Sequence, residues 1–284
     1  FSNSNYRVET SLGTYLLKIS NDKNSTELEE EMDILKRLSV KGFNFSLTPL
    51  ETTTNELVYH CEGYFGVIFP FIDGIPPGPA DMTCRMIGEG LARLHSLEWS
   101  TKEQEEIRNY ETVGYGVNKL LAYVKEAGCP EDFRVEFKKN FDDDLKEWQE
   151  ADLQKGLIHG DLYYDNTLFH NDVLKVILDF EQAGIGELLF DLGVCISGTC
   201  LEKGHIITPL IDSLLSGYET IRPLPAIERK LLDQAIVLGL FSISLWRIKR
   251  FTEGNLNTLM ADSYKELIQR ANNYRKESGG ESRP

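Results

Sequence analysis

Apolar and polar positions along the chain follow two periods. Short apolar runs bounded by turn residues predict strands over residues 6–10 and 15–19, with Ser11, Leu12 and Gly13 as the turn between them. A second hairpin is expected over 57–60 and 64–69. A 3.6-residue period predicts a helix over 25–38, whose apolar face is Leu28, Met32, Ile34, Leu35 and Leu38, opened by Ser25 as N-cap with acids behind it. Met86, Leu91, Leu94 and Leu97 mark another helix over 82–97. Further helices are expected over 114–127, 132–148, 192–196, 226–251 and 260–274, whereas 102–109 reads as charged and solvated. Between the hairpins and the helices, Phe69, Pro70, Phe71, Ile72, Asp73 and Gly74 read as a hinge. The pattern gives an α+β class: a small β-rich lobe over 1–72, a larger helical lobe over 73–275, and a polar tail over 276–284 expected to be disordered.

Two short apolar strands deliver polar groups at their ends. Leu157 and Ile158 stop at His159, Gly160 and Asp161, and Asn166 comes after four intervening residues; the run 173–178 stops at Asp179. Two carboxylates and an amide oxygen are what phosphoryl transfer needs. One carboxylate takes the hydroxyl proton, and the other groups hold Mg²⁺ against nucleotide phosphates. Any one of the three also suits a turn, but a turn explains poorly why all three stand at the spacing of a kinase catalytic loop.

Asp161 is therefore the candidate base, and Asn166 and Asp179 are the candidate metal ligands. Lys18 lies between Leu17 and Ile19 in a strand, where an ammonium needs a partner. Helical phase favours Glu31 over Glu27 and Glu30 for that role, which would set Lys18 on the nucleotide phosphates. Residues 2–5 are a polar loop, so Ser4 and Asn5 are candidate backbone contacts to phosphates. Phe69, Pro70 and Ile72 are candidates for the adenine, and Leu178 joins the nucleotide-contacting set. Glu181 suits metal-bound water or a substrate ammonium, and equally a loop-stabilising acid. Trp246 and Arg247 are candidates for the acceptor pocket, although core packing with snorkelling cations also accounts for them. His95 reads as a hydrogen-bonded core histidine, and Asp191 as a helix-start acid or a brace for the catalytic loop. The acids at 142–144 read as a solvated helix face.

Charge narrows the partners. Among 284 residues, 45 acids against 30 bases give a net charge of −15. That excludes a nucleic-acid binder, which needs basic surface, and suits a cationic or zwitterionic substrate. No apolar stretch reaches membrane-span length, so no membrane partner is expected. The five cysteines are scattered without a paired motif, which points to a reducing, cytoplasmic setting and away from zinc or disulfides. The start has neither an initiator Met nor the pattern of a signal peptide, so a preceding segment is expected. Oligomeric state is left open.

Residues 3–8, Leu16-Leu17-Lys18, 87–95, His159-Gly160-Asp161 and Asp179-Phe180-Glu181 together resemble the aminoglycoside phosphotransferase and choline kinase superfamily, most closely the type II homoserine kinases. The resemblance runs along nearly the whole chain. It implies a protein-kinase-like, bilobal fold and transfer of phosphate from ATP, with Mg²⁺, to the hydroxyl of a small molecule. L-homoserine is the first choice, and choline or ethanolamine, hydroxylysine, methylthioribose and aminoglycosides are alternatives. Bacterial type II homoserine kinases often have His-Ala-Asp where this chain has His159-Gly160-Asp161, which leaves a sister group with another amino-alcohol substrate open. A protein kinase is disfavoured by the lack of His-Arg-Asp and of Phe-Gly after Asp179. A non-catalytic nucleotide-binding scaffold need not keep Lys18, Asp161, Asn166 and Asp179 together.

Overall fold

A computed structural model describes residues 3–21, 23–108, 115–141, 144–254 and 257–278. The chain opens with strands β1 (Asn3–Thr10) and β2 (Gly13–Ser20), paired through the expected turn. Asn3, Ser4 and Asn5, read from sequence as a loop, belong to β1, facing Ser20, Ile19 and Lys18; Ser2 lies outside the described residues. Strand pairing is a backbone property, so the ladder continues past the last apolar side chain.

Helix α1 (Ser25–Val40) buries Leu28, Glu31, Met32, Ile34, Leu35 and Leu38. Its cap is Asn24, one residue before the expected Ser25. The Asn24 side chain accepts from the Glu27 N–H at 3.0 Å, and the Asn24 N–H donates to Glu27 at 2.9 Å. This reciprocal box uses the carboxylate of Glu27, leaving Glu31 as the buried acid. Strands β3 (Tyr59–Cys61) and β4 (Tyr64–Pro70) complete an antiparallel sheet of order β1-β2-β4-β3.

Helices come next: α2 (Asp81–His95), α3 (Thr101–Arg108), α4 (Val117–Tyr123), α5 (Glu131–Phe141) and α6 (Asp144–Glu150). The segment read as solvated is largely α3, with Ile107 buried. The described residues of the helix expected over 132–148 are helical on both sides of 142–143, in α5 and α6. Buried Phe133, Phe137, Phe141, Leu145 and Trp148 keep one helical period through both, as the sequence predicts. Residues 142 and 143 lie outside the described residues, and Gly114 does too. Strands β5 (Lys155–Ile158), β6 (Thr167–His170), β7 (Val173–Ile177) and β8 (Gly184–Glu187) form two small antiparallel pairs, β5 with β8 and β6 with β7.

Helix α7 (Leu188–Thr199) is buried along its whole length, longer than the segment expected from sequence. Beyond it lie α8 (Thr208–Glu219), not predicted, and α9 (Ala226–Lys230). Then α10 (Leu232–Arg247) runs into a π-helical turn (Ile248–Glu253), and α11 (Tyr264–Ser278) closes the described chain. The long helix expected over 226–251 is thus three pieces. The expected tail is helical to Ser278: Tyr274 is buried and its hydroxyl donates to Asp233. Residues 279–284 lie outside the described residues.

Glycines let the central helices touch. A Cβ on Gly88 of α2 would lie 2.1 Å from the Leu214 carbonyl oxygen of α8, and one on Gly217 of α8 would lie 2.0 Å from that of Arg85. Gly193 of α7 meets α10 in the same way, 2.2 Å from the Ala235 oxygen. Among the described residues no helix is long and apolar enough to cross a membrane.

Candidate active site

Strand β5 carries Leu157 and Ile158 into the core and releases the chain at His159. The loop beginning there is held from below by Asp191, in the first turn of α7 and fully buried. The Asp191 carboxylate accepts the backbone N–H of His159 and that of Gly160, each at 2.8 Å, and lies 3.0 Å from His95 Nε2. His95 Nδ1 is 2.7 Å from the Tyr218 hydroxyl. Burial works against the Asp191 carboxylate, yet the His95 contact and the backbone donors hold its pKa below the usual range. Both expectations stand: His95 is a hydrogen-bonded core histidine, and Asp191 is a brace at a helix start.

His159 ties two loops together. Its Nε2 is 2.8 Å from the Leu178 carbonyl oxygen, and its Nδ1 accepts the Asp161 N–H at 3.2 Å. These bonds require a neutral ring with the proton on Nε2, and burial holds the pKa below its ordinary value. Gly160 stands at φ +81°, and a Cβ there would come within 2.6 Å of the Gln182 carbonyl oxygen, so this loop geometry requires glycine at that position.

The Asn166 amide donates to the Asp161 carbonyl at 2.8 Å, which turns its side-chain oxygen the other way. The Leu178 N–H donates to the Asn166 carbonyl at 2.8 Å, fixing the two strand ends side by side. Asp179 adopts φ 60°, ψ 64°, a left-handed conformation that costs a non-glycine residue roughly 1–3 kcal/mol. Its Oδ1 is buried without a hydrogen-bond partner and lies 3.9 Å from Lys18 Nζ.

Lys18 Nζ lies 3.3 Å from Glu31 Oε1, as the helical phase predicted. Glu31 is shared, because Lys23 Nζ is 2.8 Å from its other oxygen and 3.5 Å from Glu181. Burial opposes the Lys18 ammonium, but Glu31, Asp179 and Glu181 raise its pKa; burial likewise opposes ionised Glu31, which Lys18 and Lys23 hold below its ordinary value. On the far side, burial and the charges of Asp179 and Glu181 push Asp161 well above the carboxylate range. Burial also raises Asp179 and Glu181. The described protein thus gathers more carboxylates here than its two lysines balance, an arrangement that favours a bound cation.

Two cavities meet at this cluster. One, of about 170 Å³, is lined by Asn5, Lys18, Glu31, Phe69, Leu178 and Asp179, among others. The second, of about 200 Å³, is lined by Asp161, Tyr163, Asp165, Trp246 and Arg247, with Tyr115 and Ser242. Asn166 is common to both walls. Of the residues proposed from sequence, Ser4, Pro70, Ile72 and Glu181 do not line either cavity. Strand alternation sends Asn3 and Asn5 to the first cavity, while Ser4 accepts from Asn21 at 3.2 Å. Sequence reasoning missed Lys23, Tyr115, Asp165 and Gln182. Only Asp165, adjacent to Asn166, carried a positional signal.

The residues present fit a divalent cation. Asp179 supplies a buried oxygen with no hydrogen-bond partner, and Asn166 an amide oxygen set by its bond to Asp161. Among the described residues no group of three or more His, Cys, Asp or Glu could hold a metal on its own. Mg²⁺ takes one or two protein ligands beside substrate phosphates and water, a need that these two oxygens meet.

The model of the APH phosphotransferase enzyme family matches residues 1–224. The chain belongs to that family. The phosphotransferase is 28% identical over 254 residues to a homoserine kinase of Polaromonas naphthalenivorans, covering 88% of this chain and 79% of that one. Its fold matches an amicoumacin kinase bound to AMP-PNP, Ca²⁺ and Ami, with TM-score 0.71 at 14% identity, over 98% of this chain and 86% of that one. It also matches a microcompartment-associated aminopropanol kinase, with TM-score 0.66 at 17% identity, over 98% and 91% of the two chains. The α+β, kinase-like fold expected from sequence is therefore the fold of this phosphotransferase, and its activity is that of a small-molecule kinase.

Proposed function

We propose that this phosphotransferase moves the γ-phosphate of ATP to the hydroxyl of a small amino acid or amino alcohol, with L-homoserine as acceptor. The observation that carries this is the meeting of the two cavities at Asn166, with Lys18 and Asp179 on one side and Asp161 on the other. In-line transfer needs donor and acceptor on opposite sides of one cluster of charge. ATP occupies the first cavity. Lys18, oriented by Glu31, contacts its phosphates, Phe69 and Leu178 flank the base, and Asn5 lies near the phosphates. Contacts from Ser4, Pro70 and Ile72 would come from their backbone groups. Asp161 aligns the acceptor hydroxyl and receives its proton. Asn166 and Asp179 would hold Mg²⁺, which when bound supplies positive charge against the phosphates. Glu181, tied to Lys23, lies at the edge of the metal site; Trp246 and Arg247 face the acceptor.

Residues 1–72 would then form the lobe that covers the nucleotide and 73–275 the catalytic and acceptor-binding lobe. None of the five cysteines is in a disulfide and four are buried, which supports a cytoplasmic setting. The homoserine kinase similarity supports homoserine as acceptor, and the likeness to an aminopropanol kinase keeps amino alcohols as the alternative. The test is ADP release from Mg·ATP with L-homoserine, choline, ethanolamine, hydroxylysine, methylthioribose and an aminoglycoside. Homoserine should turn over fastest, and Asp161→Asn should lower kcat at least ~100-fold. Equal turnover in Asp161→Asn, or no ADP with any acceptor, overturns the proposal.

A further inference from the structure

The cavity that holds Asp161 has charge of both signs on its walls. The catalytic loop contributes Asp161 and Asp165, and the end of α10 contributes Trp246 and Arg247.

Arg247 is held in place but not used up. One Nη donates to the Ser263 carbonyl at 2.8 Å, and the same nitrogen lies 3.6 Å from Glu266, whose side chain is 76% exposed. A guanidinium carries five N–H donors, and among the described residues these are the contacts that Arg247 makes. Arg247 is also the last residue of α10, and the π-helical turn begins directly after it. Arg250 lies 5.1 Å from the ring centroid of neighbouring Trp246. The Arg247 cation on the cavity wall itself works against a ligand whose far end is a quaternary ammonium, despite the aromatic rings there.

We propose that Arg247 selects acceptors that carry a carboxylate. The fitting ligand is an α-amino acid with a side-chain alcohol: its hydroxyl at Asp161, its ammonium at Asp165, its carboxylate on the free edge of the Arg247 guanidinium. This rests on the kinase activity proposed above and assigns to one residue the preference for an amino acid over an amino alcohol. An Arg fork matches a carboxylate with two parallel bonds, which a lysine cannot reproduce.

The test is calorimetric binding of L-homoserine and of 3-aminopropan-1-ol, the same chain without the carboxylate, to the Mg·ADP-loaded protein. Wild type should bind homoserine at least tenfold more tightly. In Arg247→Met that difference should collapse to within about twofold, and Arg247→Lys should fall between, which separates loss of the fork from loss of fold. Equal affinity for the two ligands, no homoserine binding, or equal weakening of both ligands in Arg247→Met overturns the proposal. Turnover decides the other question separately. Homoserine binding that depends on Arg247 without ADP release sinks the kinase proposal and leaves this one standing. Equal turnover of both alcohols does the reverse.

Discussion

Asp191→Asn tests the brace beneath the catalytic loop with a change that removes charge and almost no volume. In the native protein the two carboxylate oxygens accept from the backbone of Gly160 and of His159, and one of them also meets His95. An asparagine has one oxygen for these donors. If its NH₂ takes the Oδ1 place it faces the Gly160 N–H; if it takes the Oδ2 place it faces the His159 N–H. His95 can exchange tautomer through its contact with Tyr218, but a backbone amide cannot reverse. One buried N–H is therefore left unpaired, at about 1–3 kcal/mol, and the surviving bonds lose the strength that an ionised acceptor gives them. Burial of the charge opposes this, but the Asp191 pKa is held below its ordinary value despite burial, so the bonds outweigh desolvation and the substitution is a net loss.

The sum is about 3–5 kcal/mol, the range for breaking a buried charged network. For a chain of this size that is a fall in Tm of roughly 10 °C. Chemical unfolding monitored by circular dichroism reads the change directly. The contribution is present above the unfolded carboxylate pKa and is lost as pH falls through the lower folded value, so the wild-type advantage should vanish in acid. A variant within about 0.5 kcal/mol of wild type at pH 7 would show that the carboxylate does not hold the loop.

The geometry sets two further outcomes. Gly88→Ala should destabilise by about 2–3 kcal/mol despite the better helix propensity of alanine, because the new methyl meets the Leu214 backbone oxygen; unfolding free energies at or above wild type would contradict the helix contact. Burial lowers the pKa of His159 beneath its ordinary 6.5, so its stability contribution is complete above that pH and declines as the unfolded ring protonates below it, by up to ~1.4 kcal/mol per pH unit. Subtracting the unfolding profile of His159→Gln isolates this slope from the raised carboxylates, which act with the opposite sign, and an absent difference between pH 7.5 and 5.5 would refute the assignment.

Local pattern carried much of this protein. Where a strand ends and what stands at its end depend on adjacent residues, so Asp161, Asn166 and Asp179 were legible from spacing alone. Lys18 and Glu31 were legible because helical phase puts Glu31 on the buried face of α1. The hairpins, most helices and the core came from the same periods. What spacing could not supply is anything set by packing between distant segments. Strand register, not polarity, decides that Asn5 reaches the cavity beside Lys18 and Asp179 and Ser4 turns away. Lys23 completes the charge cluster only because the sheet and α1 bring it against Glu31 and Glu181.

The same limit explains the choice of readings for Trp246 and Arg247. On one helix they are equally good as core packing or as pocket, since a helical period records which face is apolar and not what lies across from it. The tertiary structure brings the end of α10 to the loop that holds Asp161, so both side chains line the cavity there. Gly193 of α7 lets α10 pack close against it, because a backbone without a Cβ packs at distances a side chain would forbid. Asp191 shows both parts at once: the sequence placed an acid at a helix start, and only the fold gave it two backbone amides and a histidine to hold.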